Sequence, residues 1–184
     1  MKLKYFWIFF FVSLALLYSW YQSQKLSTLV KSDETQLILK ELPAVELNSL
    51  TGESVNLHNY MDINEVELLV VHFWGTWCAP CEAEFPELIK LAIKFKEEKK
   101  VKFLFVAVDD EEIKIKKFIK RFEQVYPGIE LFLDNTKIHR DKFGTARVPE
   151  TYFFNKMKKT VKKFAGAMNW QSEYYYKLID ELIY

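Results

Sequence analysis

The sequence predicts an α/β fold in which one mixed β-sheet carries helices on both faces. Two observations predict it. Apolar segments of strand length, 67–74 and 101–108, alternate along the chain with segments of helical periodicity. The chain then closes with two short segments, 150–154 and 160–164, that are interpreted as paired antiparallel strands, followed by a helix. Alternating strands and helices form a parallel sheet, to which the final hairpin adds antiparallel strands.

The first elements of the domain form a predicted β-hairpin. Residues 42–47 alternate apolar and polar side chains, residues 48–52 are of types found in turns, and residues 54–57 alternate again. The strand 67–74 is apolar apart from Glu67 at its start and His72, which is typical of a strand buried on both faces.

A helix is predicted directly after Cys81, because its apolar side chains fall on one helical face: Phe85, Leu88, Ile89, Ala92 and Phe95. Pro86 lies inside this helix and should bend it, since proline has no N–H to donate.

The second half of the predicted sheet follows the same alternation. The strand 101–108 leads to a helical face over 115–126, then to a strand at 129–133 and a short helix at 137–143. The loop 155–159 between the last two strands lacks the glycine expected of a tight hairpin. The final helix should begin near Asn169 or Ser172, with Tyr175, Leu178, Ile179 and Leu182 on its apolar face.

Composition excludes some classes of partner. The 184 residues carry a formal net charge of +1, which argues against a nucleic-acid partner held by a large positive field. The lysine-rich segments 94–102, 114–121 and 156–163 are interleaved with glutamates or core residues and are interpreted as solvated faces.

The N-terminus is predicted to anchor the protein in a membrane. An apolar run at 5–21 reaches the minimum of about 17 residues for a spanning helix. Lys2 and Lys4 place the short end in the cytoplasm. We therefore expect an uncleaved anchor at 1–21, a tether at 22–40 and one extracytoplasmic domain at 41–184. A cleaved signal peptide is the alternative, although the end of the run, residues 17–20, is bulky where small residues would be needed.

The two cysteines of the chain, Cys78 and Cys81, lie where a predicted strand meets a predicted helix. The helix N-terminus favours a thiolate over a thiol, so this Cys-x-x-Cys pattern indicates a redox dithiol. A structural disulfide would close too short a loop to stabilise much. Structural zinc needs four ligands, and the histidines, at 58, 72 and 139, are widely spaced.

These motifs together resemble the thioredoxin fold. Within it, the chain resembles the membrane-anchored, extracytoplasmic thioredoxin-like proteins of the TlpA/ResA/CcmG (DsbE) group, over about residues 40–184. The resemblance is carried by the run Phe-Trp-Gly-Thr-Trp-Cys-Ala-Pro-Cys-Glu-Ala-Glu-Phe-Pro at 73–86 and by Val-Pro-Glu-Thr at 148–151. It implies a mixed central sheet flanked by helices, with an N-terminal β-hairpin extension.

The resemblance also implies roles for individual residues. Cys78 would be the exposed nucleophile that attacks a substrate disulfide, and the more buried Cys81 would resolve the mixed disulfide. Trp77 would shield the pair and help to form the docking surface. Pro149 matches the cis-proline of the group, whose loop would present the backbone of Val148 to an extended substrate.

Two further residues are candidates for acid–base work. Glu84 lies one helical turn beyond Cys81, and in this group a glutamate at that position is taken to relay protons to the cysteines; burial would raise its pKa. The alternative is a surface glutamate at the helix start, which Glu82 fits better. His72 departs from the group, and is either a hydrogen-bonded core histidine or a residue that tunes the cysteines.

The predicted function is that of an extracytoplasmic thiol–disulfide oxidoreductase that reduces disulfides. The resemblance implies apocytochrome c as the client and a membrane thiol reductase as the electron donor. We expect no cofactor and no metal, because no Gly-rich nucleotide loop or ligand cluster occurs. The alternatives are a general disulfide reductase or oxidase with other clients, and a copper-handling protein on the same fold, which would typically carry Cys-x-x-x-Cys.

Overall fold

A computed structural model describes residues 12–19, 39–95, 98, 100–122 and 130–183. The chain divides into two compact units, Met1–Leu37 and Ile38–Tyr184. In the first unit, residues 12–19 form a helix, α1. None of the helices in the described ranges is both long and apolar enough to cross a membrane. The rest of the predicted anchor and nearly all of the predicted tether lie outside the described residues, so these two predictions remain untested.

The second unit contains seven strands and five helices among its described residues. The strands are β1 (Glu46–Ser49), β2 (Ser54–Asn56), β3 (Leu68–Trp74), β4 (Val101–Val108), β5 (Glu130–Asp134), β6 (Glu150–Asn155) and β7 (Thr160–Ala165). The helices are α2 (Leu57–Ile63), α3 (Ala79–Lys94), α4 (Glu112–Ile119), α5 (Ile138–Phe143) and α6 (Glu173–Ile183).

All seven strands belong to one mixed sheet, in the order β2-β1-β5-β4-β3-β6-β7. The strands β3, β4 and β5 are parallel, whereas β6 pairs antiparallel with β3, and β1 pairs antiparallel with β5. The predicted mixed sheet is therefore confirmed. The predicted initial hairpin is also confirmed, since β1 and β2 pair antiparallel, and it extends the main sheet because β1 lies beside β5.

Alternate residues of β3 face two different hydrophobic clusters. Leu68, Val70 and Trp74 belong to the cluster that also contains the buried side chains of α3, α4 and α6. Leu69, Val71 and Phe73 belong to the second cluster, with residues of β1, α2 and α5. Every residue of β3 is buried, as expected for a strand covered on both faces.

Helix α2 was not predicted from the sequence. Residues 54–57 were interpreted as a strand, but the strand ends at Asn56, whose side chain accepts hydrogen bonds from the backbone N–H groups of His58 and Asn59. This cap starts a seven-residue helix whose buried residues are Leu57 and Met61. Two apolar side chains among polar neighbours give too weak a pattern to identify so short a helix.

The loop between β6 and β7 turns without a glycine. Lys158 takes the left-handed conformation, with φ of 62°. The side chain of Asn155 accepts hydrogen bonds from the backbone N–H groups of Met157 and Lys159. These bonds hold the turn in place of the expected glycine, and the predicted pairing of the two strands is confirmed.

Candidate functional site

The cysteine pair lies at the junction of β3 and α3. Cys78 is the N-cap of α3, and its Sγ accepts a hydrogen bond of 3.2 Å from the backbone N–H of Cys81. The two sulfurs form a disulfide, with the Cα atoms 5.2 Å apart. Cys78 is 5% exposed and Cys81 is fully buried. A reagent that approaches from solvent therefore meets the sulfur of Cys78 first.

The loop before β6 lies against Cys78. The peptide bond between Val148 and Pro149 is cis, as the resemblance implies. The carbonyl oxygen of Val148 lies 3.8 Å from Sγ of Cys78, and the carbonyl of Pro149 accepts a hydrogen bond of 2.8 Å from the N–H of Gly166. Within the described ranges, neither the N–H nor the C=O of the half-buried Val148 forms a backbone hydrogen bond.

An exposed indole borders the pair on its other side. Trp77 is 57% exposed, and its Nε1 donates a hydrogen bond of 3.1 Å to the carbonyl of Val108 at the end of β4. The ring lies so close to Gly75 that a Cβ added at residue 75 would come within 2.7 Å of Nε1. The glycine thus allows the indole to fold back against the loop.

The loop that carries the pair is fixed by a buried aspartate. Asp110, 6% exposed, accepts hydrogen bonds of 2.6 Å from the N–H of Thr76 and 2.9 Å from its hydroxyl. Its Oδ1 also accepts a bond of 2.8 Å from the N–H of Glu111. Asp110 has no role among the residues that the sequence singles out; its position just after the strand 101–108, at the carboxyl end of β4 and beside β3, was the available signal.

Glu84 is buried beneath the pair on α3, one turn beyond Cys81. It is 3% exposed, and its Oε2 accepts hydrogen bonds of 2.8 Å from both the N–H of Met168 and Nε1 of Trp170. Burial raises the pKa of Glu84 to about 7, although these two donors favour the carboxylate and limit the rise. The carboxyl can therefore gain or lose a proton near neutral pH.

The exposed Glu82 contrasts with Glu84. It lies in the first turn of α3, where the helix dipole favours a negative charge, and it forms an ion pair of 2.7 Å with Arg121. This is the surface position that the sequence analysis assigned to Glu82 rather than to Glu84.

His72 lies next to Glu84 in the interior. It is 1% exposed, and its Nδ1 is 2.9 Å from the hydroxyl oxygen of Thr151. Its Nε2 is 3.8 Å from Oε1 of Glu84. Burial lowers the pKa of His72 to about 3, so the imidazole is neutral and the two residues do not form an ion pair.

The fold thus brings together the residues that the sequence singled out. Cys78, Trp77, Val148 and Pro149 meet at one end of the sheet, with Cys81 and Glu84 behind them. Met168 and Trp170, which hold Glu84, were not anticipated. Within the part of the chain that the structure describes, no three His, Cys, Asp or Glu side chains come together as a metal site. A thioredoxin-like sheet with a cysteine pair capping its first long helix defines a thiol–disulfide oxidoreductase.

Comparison with known proteins agrees with this class. Residues 38–163 match the model of the AhpC/TSA family. The chain therefore belongs to the AhpC/TSA family, and the predicted resemblance is confirmed.

Relatives by sequence include thiol-disulfide oxidoreductases named ResA. The protein from Bacillus thuringiensis is 28% identical over 134 residues, which cover 73% of each chain. The protein from Halalkalibacterium halodurans is 30% identical over 125 residues, covering 68% of this chain and 66% of the relative.

A solved structure shows the same fold. It is a secreted disulfide oxidoreductase of Mycobacterium tuberculosis, described as homologous to E. coli DsbE. The TM-score is 0.58 at 17% identity, over 76% of this chain and 94% of that one.

Proposed function

We propose that the protein reduces disulfide bonds in extracytoplasmic proteins through the Cys78–Cys81 pair. One observation carries the proposal: the sulfur of Cys78 caps helix α3, against the carbonyl of Val148, while Cys81 lies fully buried behind it. This arrangement supports the proposal that the two cysteines have different tasks. The relatives named thiol-disulfide oxidoreductase ResA support the same chemistry.

The reaction is thiol–disulfide exchange in two steps. The thiolate of Cys78 attacks one sulfur of the client disulfide, which forms a mixed disulfide and releases the other client sulfur as a thiolate. The thiolate of Cys81 then attacks Sγ of Cys78 and releases the second client thiolate. The client gains two electrons and, as its thiolates are protonated, two protons; the Cys78–Cys81 pair loses two electrons and becomes the disulfide.

Glu84 is the proposed proton acceptor for the second step. Cys81 is buried, so its thiol needs a nearby base before it can attack. Glu84 lies one turn away on α3, with a pKa of about 7 that suits it to take this proton and later release it.

The proposed docking site is formed by Val148, Pro149 and Trp77. The N–H and C=O of Val148 can pair with the backbone of an extended client segment, as when a strand is added to a sheet edge. The exposed indole of Trp77 offers apolar area beside the sulfur. A client disulfide held in this way would lie next to Cys78.

The proposed client is apocytochrome c, whose haem-binding Cys-x-x-Cys-His must be reduced before haem attachment. The proposed setting is extracytoplasmic, with residues 1–21 as an uncleaved membrane anchor, 22–40 as a tether and 41–184 as the catalytic domain. The apolar run and its flanking lysines support the anchor. A membrane thiol reductase would return two electrons to the pair by the same exchange chemistry.

The test is to trap clients on a Cys81→Ser variant of the full chain expressed in a bacterium that makes c-type cytochromes. Without Cys81 the mixed disulfide cannot be resolved, so clients should accumulate on Cys78. Cys78→Ser, which keeps the buried cysteine, is the matched control and should trap little. Non-reducing electrophoresis and mass spectrometry identify the partners.

The identity of the trapped partners distinguishes between the alternative functions. Recovery of apocytochrome c supports the proposed client, and recovery of other proteins alone indicates a general reductase or oxidase. Equal trapping on both variants would contradict the assignment of Cys78 as the nucleophile.

A further inference from the structure

The imidazole of His72 is a buried titratable group that the exchange steps above do not use. It lies on β3, two residues before Trp74, so it points to the face of the sheet that α3 covers. Thr151 partners its Nδ1, but its Nε2 has no hydrogen-bond partner among the described residues. A buried polar atom without a partner costs free energy and therefore calls for an explanation.

Glu84 carries a matching unpartnered atom. Its Oε2 accepts two hydrogen bonds, whereas its Oε1 accepts none from the residues that the structure describes. The two unpartnered atoms, Oε1 of Glu84 and Nε2 of His72, face each other at 3.8 Å. This distance is about 1 Å longer than a hydrogen bond, which a small rotation of the carboxyl can close.

Charge attraction does not explain the pair, because the buried imidazole is neutral. A neutral imidazole and a neutral carboxyl each gain a hydrogen-bond partner if one proton lies between them. A carboxylic acid donates through its O–H, and a neutral imidazole accepts at its unprotonated nitrogen.

We infer that His72 is a positioning residue for the proton of Glu84: in the disulfide form, the carboxyl donates from Oε1 to Nε2 of a neutral imidazole, whose Nδ1–H is held by Thr151. The inference deepens the proposed function, on which its catalytic use rests. The proton that Glu84 takes from Cys81 stays on the carboxyl, and His72 fixes where it lies.

The groups that face Glu84 from its surroundings are few. Cys81 and the half-buried Glu87 lie on α3, His72 on β3 and Tyr175 on α6. Of these, Glu87 and Tyr175 interact with Glu84 electrostatically. The remaining contacts are the two N–H donors from residues 168 and 170. His72 places its Nε2 3.8 Å from Oε1 of Glu84, the oxygen that accepts no hydrogen bond from the described residues.

Two variants of the full chain test the inference. In His72→Asn, the amide lies near the position of Nδ1 and keeps the contact with Thr151, but nothing takes the position of Nε2. In His72→Gln, the amide reaches the position of Nε2 and can accept the proton of Glu84. The readout is the infrared C=O band of protonated Glu84 in the oxidised protein, followed over pH and identified by its loss in Glu84→Gln.

In His72→Asn, the midpoint of this band should fall by about one pH unit, a tenfold loss of proton affinity, because the acid form loses its acceptor. In His72→Gln the midpoint should stay close to that of the unmodified protein. An unchanged midpoint in His72→Asn, or a higher one, would overturn the inference, since His72 would then be a core residue only or a donor to the carboxylate.

A measurement on the unmodified protein keeps the test valid if a variant does not fold. In ¹⁵N-histidine-labelled oxidised protein below the Glu84 midpoint, Nδ1 of His72 should carry the proton and Nε2 should not. The reverse tautomer would contradict the inference. The proposed function fails on a different result: the Cys78–Cys81 pair would be inactive in disulfide exchange. That result does not depend on how the Glu84 band changes in the His72 variants.

Discussion

Two buried carboxyl groups flank the cysteine pair, and they are held in different ways. Asp110, 6% exposed, accepts three hydrogen bonds that occupy both of its oxygens. Glu84, 3% exposed, accepts two, and both go to one oxygen. Similar burial therefore gives different chemistry. The carboxyl of Asp110 fixes a loop, whereas Oε1 of Glu84 accepts no hydrogen bond from the described residues and can take up a proton.

The largest expected effect is on stability as a function of pH. The pKa of Glu84 is raised from 4.5 to about 7 in the folded protein, so its contribution to stability is complete below pH 4.5 and is lost as the pH rises to about 7. Relative to Glu84→Gln, the free energy of unfolding of the oxidised protein should fall by about 3 kcal/mol over this range.

Urea unfolding of the oxidised full chain at several pH values provides this measurement. The comparison with Glu84→Gln is needed because His72, whose pKa is lowered to about 3, acts in the opposite direction below pH 6.5. A pH-independent difference between the two proteins would mean that Glu84 is not held as an acid, and the contrast with Asp110 would disappear.

The next effect is on the rate of exchange. In Glu84→Gln the amide cannot take the proton of Cys81, so resolution of the mixed disulfide at pH 7 should slow by about 100-fold. Stopped-flow measurement with a disulfide-bonded Cys-x-x-Cys-His peptide checks this. Glu82→Gln, two residues earlier on the exposed side of α3, is the matched control and should retain the rate. An equal loss in both variants would indicate an effect of surface charge.

Asp110 should act on stability rather than on proton transfer. Asp110→Ala leaves three donors without their acceptor near the surface, which should cost about 2 kcal/mol of unfolding free energy. Denaturant unfolding measures the loss, and Glu111→Ala, at the exposed neighbouring position, serves as control. If Asp110→Ala also removed the pH dependence assigned to Glu84, the two carboxyl groups would not be separable in function.

The smallest effect concerns one donor to Glu84. Trp170→Phe removes the indole N–H that favours the carboxylate, so the pKa of Glu84 should rise by about one unit. The infrared band of the carboxylic acid reports the change. Trp74→Phe is the matched control, because Trp74 is also fully buried but does not bond to Glu84. A shift of the same size in both variants would point to loosened packing.

The two carboxyl groups also show how far sequence reasoning reaches. The position of Glu84 beneath the cysteines follows from its spacing of three residues from Cys81 on one helix. The donors that hold it, Met168 and Trp170, lie 84 and 86 residues further on and have no local signature. Asp110 was visible at the end of a strand, but its pairing with Thr76 depends on the order of β3 and β4 in the sheet.

The secondary structure and the strand pairing were likewise predictable only in part. The apolar runs of β3 and β4 are long enough to identify, and the glycine at 144 ends α5 in the left-handed conformation, as its position suggests. The seven residues of α2 carry too few apolar side chains for the helix to be recognised. That β1 pairs with β5 could not be predicted, because pairing between distant strands depends on the packed sheet as a whole.

The contact between Gly75 and the indole of Trp77 has one more consequence. A methyl group at residue 75 would collide with the indole of Trp77. The three atoms nearest to it all belong to that side chain and none to the backbone. The ring would swing away from the Val108 carbonyl while the strand stayed in place. Under the proposed docking of clients on Trp77, client preference is therefore adjustable from position 75 with no change to either sulfur.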